Sequence, residues 1–156
     1  MHQPSIFYAA VLASLFALPS LSSAQENSEA ATAMPVVKLL SAVDILEKVD
    51  GELMRSSTVE VTLAPGVASM PHRHPGAVFG YVLEGEFEFK VEGKKVQTLK
   101  TGETFYEPTM ILHEVGRNPS NKNQTRVLAV IVHPRNAKQL AIPEEPTTTK
   151  KSDGDE

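Results

Sequence analysis

Short runs of alternating apolar and polar residues, most of them ended by glycine or proline, fill the middle of the chain. Successive side chains of a β-strand point to opposite faces, so this period of two predicts strands with one buried face. The predicted strands cover residues 58–63, 79–83, 87–91, 96–99, 104–106, 113–117 and 127–132. Many short strands at close spacing, separated by glycine-containing turns, are typical of an all-β sandwich or closed barrel.

A short N-terminal helix is predicted before these strands, over residues 41–48. Ser41 is a suitable N-cap, and the apolar residues between Val43 and Val49 would form one apolar stripe. The folded unit then spans residues 36–142 of the 156, which is about the size of one domain.

Both ends of the chain are predicted to lie outside the folded unit. Residues 6–18 form an apolar run of signal-peptide length, and small residues precede Gln25, so residues 1–24 are interpreted as a cleaved signal peptide. The alternative for this run is a buried N-terminal helix or strand. Residues 25–35 are then a flexible leader and residues 143–156 a disordered polar tail. We therefore expect a secreted or periplasmic protein.

Composition excludes several partners and cofactors. The formal net charge is -4 and the chain has no basic cluster, so neither nucleic acid nor, after cleavage, a membrane is an expected partner. The chain has no cysteine, which excludes disulfides, Fe–S clusters and thiolate zinc sites. Any bound metal must be held by histidine nitrogen or carboxylate oxygen.

Three histidines are spaced as candidate metal ligands. His72 and His74 are separated by one residue, so on an extended strand they share a face while Arg73 points away. His113 follows about forty residues later, near the start of another predicted strand. Three imidazoles converging from two strands suit Zn, Fe, Ni or Cu and leave positions open for water or substrate. The alternative is that they are surface histidines or hydrogen-bonded core histidines, because His-x-His alone is a weak pattern.

Two motifs spaced along the chain resemble those of the cupin family of small β-barrels. The matching positions are Gly66, His72, His74 and Gly85 in the first motif and Gly102, Pro108 and His113 in the second. The resemblance covers residues 58–134. It implies a cupin-type double-stranded β-helix, a jelly-roll barrel, in which the three histidines hold a divalent transition metal (Fe, Mn, Zn, Ni or Cu).

The chain departs from the family pattern where the family usually has a glutamate ligand. Val78 stands at this position, and its neighbours Ala77 and Phe79 supply no carboxylate. Three neutral imidazoles would leave the metal its full positive charge, so an anionic or chelating ligand is expected. In the second motif Met110 replaces a glycine, which would narrow the barrel mouth, and Asn118 lies one position after the family's asparagine.

Two residues just before Pro108 are candidate catalytic groups. Glu107 and Tyr106 could act in general acid–base catalysis, or accept or donate hydrogen bonds beside a ligating imidazole. The alternative is structural, with Tyr106 in the core and Glu107 in a solvated turn. His133 belongs to neither motif and is interpreted as structural or exposed.

Three classes of function are compatible with such a site. The preferred hypothesis is a metal-dependent oxidoreductase, similar to the three-histidine dioxygenases of the family, that takes a small chelating or anionic substrate and O₂. The alternatives are a metal-dependent isomerase or lyase, in which the ion acts only as a Lewis acid, and a non-catalytic cupin that binds a small molecule or a metal. The chain is expected to form a homodimer.

Overall fold

The computed structural model describes residues 33–144. The predicted signal peptide, the leader up to residue 32 and the tail from residue 145 lie outside the described residues. The described part of the chain contains ten strands: β1 Val36–Val49, β2 Glu52–Leu63, β3 His72–Arg73, β4 Ala77–Glu84, β5 Glu86–Val91, β6 Gln97–Lys100, β7 Thr104–Glu107, β8 Leu112–Arg117, β9 Thr125–Pro134 and β10 Ile142–Pro143. The predicted all-β class is confirmed.

The strands form two antiparallel five-stranded sheets. The order is β1-β2-β9-β4-β7 in one sheet and β10-β3-β8-β5-β6 in the other. Their inner faces pack against each other, because Val82 and Val127 of the first sheet form one buried cluster with Phe87, Phe89 and Val91 of the second. The predicted period of two is clearest in β9, where every second residue is buried. Each fully buried aliphatic or aromatic side chain stabilises the fold by roughly 1.5–3 kcal/mol.

The predicted helix at residues 41–48 is wrong, because these residues belong to strand β1. Asp50 and Gly51 both have positive φ, at 49° and 82°, and this turn returns the chain into β2 as a hairpin. Register shifts in the β1–β2 pairing interrupt the alternation of side chains, and the interrupted pattern imitates helical spacing. The described residues include no helix long and apolar enough to cross a membrane.

The folded unit ends slightly later than predicted. Strand β10 pairs with β3, which places Pro143 opposite His72. Beyond it, Glu144 accepts a hydrogen bond from Arg73 Nε at 2.9 Å. The first two residues of the predicted tail are therefore attached to the edge of the second sheet, beside the histidines.

Turns with special backbone angles support the motif strands. Gly66, Gly85 and Gly102 all have positive φ, a conformation that glycine adopts without a steric penalty. Met110 also has positive φ, at 60°, at the position where the cupin motif has glycine. Asn118 is fully buried, and its amide nitrogen donates to the carbonyl oxygens of residues 63, 64 and 123. These contacts fix the loops at one end of the barrel.

Candidate metal centre

The three motif histidines meet at the inner surface of the second sheet. His72 lies in β3 directly opposite His113 of β8, and His74 follows β3 by one residue. The ring centroids of His72 lie 4.8 Å from those of His74 and 5.0 Å from those of His113. Arg73 points away and binds Glu144 and the Met110 carbonyl. The predicted shared face of the His-x-His pair is thus present.

Backbone carbonyls fix the tautomer of each ring. His72 Nδ1 donates to the Met70 carbonyl at 2.7 Å, and His74 Nδ1 donates to the Leu140 carbonyl at 2.6 Å. His113 instead donates from Nε2 to the Val115 carbonyl at 2.8 Å. A carbonyl only accepts hydrogen bonds, so each contacting nitrogen carries the proton. The other nitrogen of each ring is left with a free lone pair.

The free nitrogens converge on one point. One ligand atom from each histidine lies within 4.8 Å of the other two. The Nε2 atoms of His72 and His74 are 3.1 Å apart, which sets two lone pairs against each other unless a cation lies between them. Burial lowers the pKa of His74 to about 4 and that of His113 to about 3, so these two rings are neutral near pH 7 and can offer a lone pair to a metal ion. The donor set therefore suits a metal ion, and these three histidines could hold one.

A buried carboxyl group completes the cluster. Glu107 ends strand β7 and is only 2% exposed. Its Oε1 lies 3.4 Å from His113 Nδ1, and its Oε2 lies 3.7 Å from His74 Nε2. Burial raises the pKa of Glu107 to about 8. The carboxyl group of Glu107 and the imidazoles of His74 and His113 are therefore neutral near pH 7, and these two contacts are not ion pairs in the metal-free protein.

Glu107 is the cross-strand neighbour of Val78, the position at which the family usually has its glutamate ligand. Strand pairing sets Val78 of β4 opposite Glu107 of β7, so their side chains share the inner face. A carboxyl group therefore lies beside the histidines on the strand next to Val78, although the sequence neighbours of Val78 supply none. The sequence does contain a signal that Glu107 faces inward. Glu107 lies two residues after Phe105 on the same strand, so the two side chains share a face, and Tyr106 between them points to the other face.

Comparison with known families agrees with this geometry. A family model described as "Cupin domain" matches residues 59–131, a segment that contains all three histidines and Glu107. Residues 59–131 form a cupin domain. No curated protein gives a significant match.

Solved structures show the same double-stranded β-helix fold. An uncharacterised protein with such a domain from Klebsiella pneumoniae is 23% identical over 73% of this chain and 88% of its own, with a TM-score of 0.55. The DMSP lyase DddQ from Ruegeria pomeroyi is 21% identical over 59% of this chain, with a TM-score of 0.51. This cupin spans 44% of that lyase's length. A recombinant oxalate oxidase in complex with glycolate is 23% identical over 65% of this chain and 52% of its own, with a TM-score of 0.50.

The cupin barrel encloses a cavity of about 330 Å³ beside the three histidines. Its walls are mainly aliphatic and aromatic side chains, such as Val61, Phe87 and Ile131. Phe89 packs edge-on against His113, with ring centroids 5.1 Å apart, and holds that imidazole in place. The site thus combines a few polar atoms with an apolar pocket, which is the usual composition of a small-molecule site.

Two other sequence candidates lie outside the cupin site. Tyr106 is 52% exposed, and its ring stacks 5.4 Å from that of Phe79 on the outer face of the sheet. Its alternative place in the core is wrong, and the structure does not bring Tyr106 to the histidines, because residues 106 and 107 point to opposite faces of the sheet. His133 is buried and structural, with its Nε2 2.9 Å from the Ser57 hydroxyl and its Nδ1 donating to the Pro134 carbonyl.

Proposed function

We propose that this cupin is a metal-dependent oxidoreductase of the dioxygenase type that acts on a small chelating or anionic molecule. The observation that carries the proposal is the convergence of three ring nitrogens, from His72, His74 and His113, at the wall of an apolar cavity. Imidazole donors suit Fe, Mn, Zn, Ni and Cu. A bound ion of this kind supplies Lewis acidity and, when it is redox-active, electron exchange with O₂.

The protein's own contribution is to hold and shield the reactants. Hydrogen bonds from each imidazole to a backbone carbonyl fix the direction of its free lone pair. The apolar walls exclude water and accept an organic substrate of a few carbon atoms. In a dioxygenase reaction both atoms of O₂ enter the product, so no external reductant is required. The presence of an oxalate oxidase among the proteins that share this fold supports an oxidative reaction but does not identify the substrate.

A lyase or isomerase is the second candidate function. The observation that favours it is Glu107, a buried carboxyl group at the edge of the metal site that could take a proton from a substrate carbon. The shared fold of a DMSP lyase is consistent with this chemistry.

Oxygen consumption separates the two functions. The protein would be stripped with a chelator, reloaded with Fe(II), and supplied with 2-hydroxy acids, 2-oxo acids and β-diketones in an oxygen-electrode cell. We expect oxygen uptake with at least one substrate and none with a His113→Ala variant. Anaerobic turnover of the same compounds by the Zn- or Ni-loaded protein, without any uptake by the Fe(II) form, would contradict the oxidoreductase and support the lyase.

We also propose that two copies pair through strand β1. This strand is at the edge of its sheet, and nearly all of its residues are exposed. The exposed apolar side chains are Val36, Val37, Leu39, Leu40, Val43, Leu46 and Val49. A long apolar edge strand invites pairing with another strand, and a second copy offers an identical edge.

Export remains a proposal that rests on the sequence of residues 1–24. Expression of the full chain in a bacterial host, followed by mass spectrometry of the periplasmic fraction, would test it. A mature protein that begins at Gln25 is expected, and an uncleaved cytoplasmic product would contradict export.

A further inference from the structure

We propose that Glu107 is a fourth ligand of the metal, supplied by strand β7 in place of the glutamate that the family usually supplies at the position of Val78. The proposal rests on the metal centre of the proposed function. It adds an oxygen donor to a site that the sequence motifs describe as three histidines.

The spacing of the donor atoms supports ligation. When two ligands bind one ion at about 2.0–2.2 Å, neighbouring donors lie roughly 2.9–3.5 Å apart in octahedral or tetrahedral geometry. Glu107 Oε1 lies 3.4 Å from His113 Nδ1, and the two ring nitrogens of His72 and His74 lie 3.1 Å apart. Glu107 Oε2 is slightly farther from His74 Nε2, at 3.7 Å. The distances of 3.1 and 3.4 Å are typical of donors around a common ion, and the 3.7 Å distance is slightly longer. Both distances to Glu107 are long for direct hydrogen bonds.

One oxygen of the Glu107 carboxyl group has no protein partner in the part of the chain that the structure describes. Oε2 is buried and has no hydrogen-bond partner among the described residues, and the same is true of His113 Nδ1, the atom that faces Glu107. An unsatisfied buried polar atom typically costs about 1–3 kcal/mol. The two unsatisfied atoms belong to neighbouring groups, since the other carboxyl oxygen, Glu107 Oε1, lies 3.4 Å from His113 Nδ1. One cation between them would satisfy both.

Strand register explains how β7 can supply the carboxylate ligand in place of β4. Val78 and Glu107 are directly paired across β4 and β7 and face the same cavity. Side chains of such a pair have Cβ atoms about 4.5–5.5 Å apart, a gap that the two methylene groups of a glutamate can largely bridge. The same ion can therefore be reached from either strand.

A carboxylate ligand changes the class of substrate. Three imidazoles leave a divalent ion with two positive charges, whereas one carboxylate reduces the net charge of the centre to one. The preferred substrate is then a monoanionic chelate, such as a 2-hydroxy acid or the enolate of a diketone, because it neutralises the centre. Dianions would leave an uncompensated negative charge in an apolar cavity.

Metal titrations of the wild type, Glu107→Gln and Glu114→Gln test the ligand. Glu114 is a matched control, because it is next to His113 on β8 but forms an ion pair with Lys90 away from the cavity. Zn²⁺ affinity would be measured by calorimetry, and the coordination of Co²⁺ by its visible absorption. We expect Glu107→Gln to weaken Zn²⁺ binding at least tenfold and to change the Co²⁺ spectrum, while Glu114→Gln changes neither.

The spectrum separates ligation from an indirect effect. A Glu107→Gln variant that binds Co²⁺ with the wild-type spectrum would overturn the proposal even if its affinity fell. A wild type that binds neither metal would overturn the metal centre itself, and with it the proposed function.

A second variant, with the carboxylate placed at position 78, distinguishes loss of a ligand from misfolding. The double variant Val78→Glu/Glu107→Gln places the carboxylate at the family's usual position. We expect it to regain most of the Zn²⁺ affinity lost by Glu107→Gln, with circular dichroism confirming that each variant is folded. If the double variant folds but binds Zn²⁺ no better than Glu107→Gln, the proposal that Glu107 replaces a carboxylate ligand at position 78 is refuted.

Discussion

The identity of the metal ligands is a residue-scale property, and the sequence contains only part of it. The spacing of His72, His74 and His113 predicts that the three side chains come together, because strand alternation determines which side chains share a face, and the structure places them in one cluster. Which nitrogen of each ring is free depends on carbonyl groups from residues 70, 115 and 140. Strand register brings Glu107 to the site, and register is a long-range property that alternation within one strand does not specify.

Removal of one histidine is expected to empty the site. His113→Ala removes a ligand nitrogen and leaves the other two in place, so metal affinity should fall by more than ~100-fold, beyond the loss usual for outer-sphere partners. Elemental analysis of the purified protein is the measurement. His133→Gln, at a buried histidine outside the site, serves as the control and should retain the metal. Full metal occupancy in His113→Ala would show that His113 is not an essential ligand.

The buried ionisable groups predict an optimum in the stability of the metal-free protein. The pKa of Glu107 rises from 4.5 to about 8 on folding, so its contribution to stability is complete below pH 4.5 and is lost as the pH rises towards 8. The pKa values of His74 and His113 fall from 6.5 to about 4 and 3, so their contribution is complete above pH 6.5 and is lost as the pH falls. Two histidines outweigh one glutamate below pH 6.5, and the maximum is expected near that pH.

Thermal melts of chelator-treated protein between pH 5 and pH 8.5 would check this optimum. Above the maximum, the free energy of unfolding should fall by up to ~1.4 kcal/mol per pH unit from Glu107 alone. Glu107→Gln is neutral at every pH, so it should abolish the decline on the alkaline side. It should also steepen the rise in stability below pH 6.5, because the two histidines are then unopposed. An unchanged alkaline decline in this variant would assign it to another group.

At the scale of elements, the strands with regular alternation were predicted correctly and the irregular one was not. Strand β9 alternates without interruption, and residues 127–132 were identified from the sequence. Strand β1 contains two register shifts, and its apolar residues therefore follow neither a period of two nor a true helical period. Pairing with β2 determines that this segment is a strand, and this tertiary interaction overrides the helix-like spacing of its apolar residues.

Close packing between neighbouring strands makes Gly80 of β4 sensitive to substitution. A Cβ at this position would lie 2.0 Å from the ring of Phe105 on β7. Gly80→Ala should therefore lower the free energy of unfolding by about 1–3 kcal/mol, the usual cost of overpacking. Chemical denaturation is the measurement. The double variant Gly80→Ala/Phe105→Leu should lose less stability than the two single changes add up to, because the smaller side chain makes room for the methyl group.

At the scale of the whole molecule, the exposed apolar edge predicts association. Val43 and Leu46 of β1 are 59% and 87% exposed, which leaves them in water in a single copy. We expect the wild type to sediment as a dimer and Val43→Glu/Leu46→Glu to sediment as a monomer, because charges in the interface repel and resist desolvation. Val96→Glu, an exposed valine between β5 and β6, is the control and should leave the dimer intact. A monomeric wild type would refute pairing through β1.

The attachment of the C-terminal segment to the site has a consequence for the order of assembly. The Leu140 carbonyl orients His74, and strand β10 together with Glu144 holds β3. Residues 140–144 come after strands β1 to β9 in the sequence. During synthesis on the ribosome they therefore emerge last of the described residues. The contacts that orient His74 and hold β3 thus form last, and the binding centre is complete only after residues 140–144 have been translated and have packed against β3.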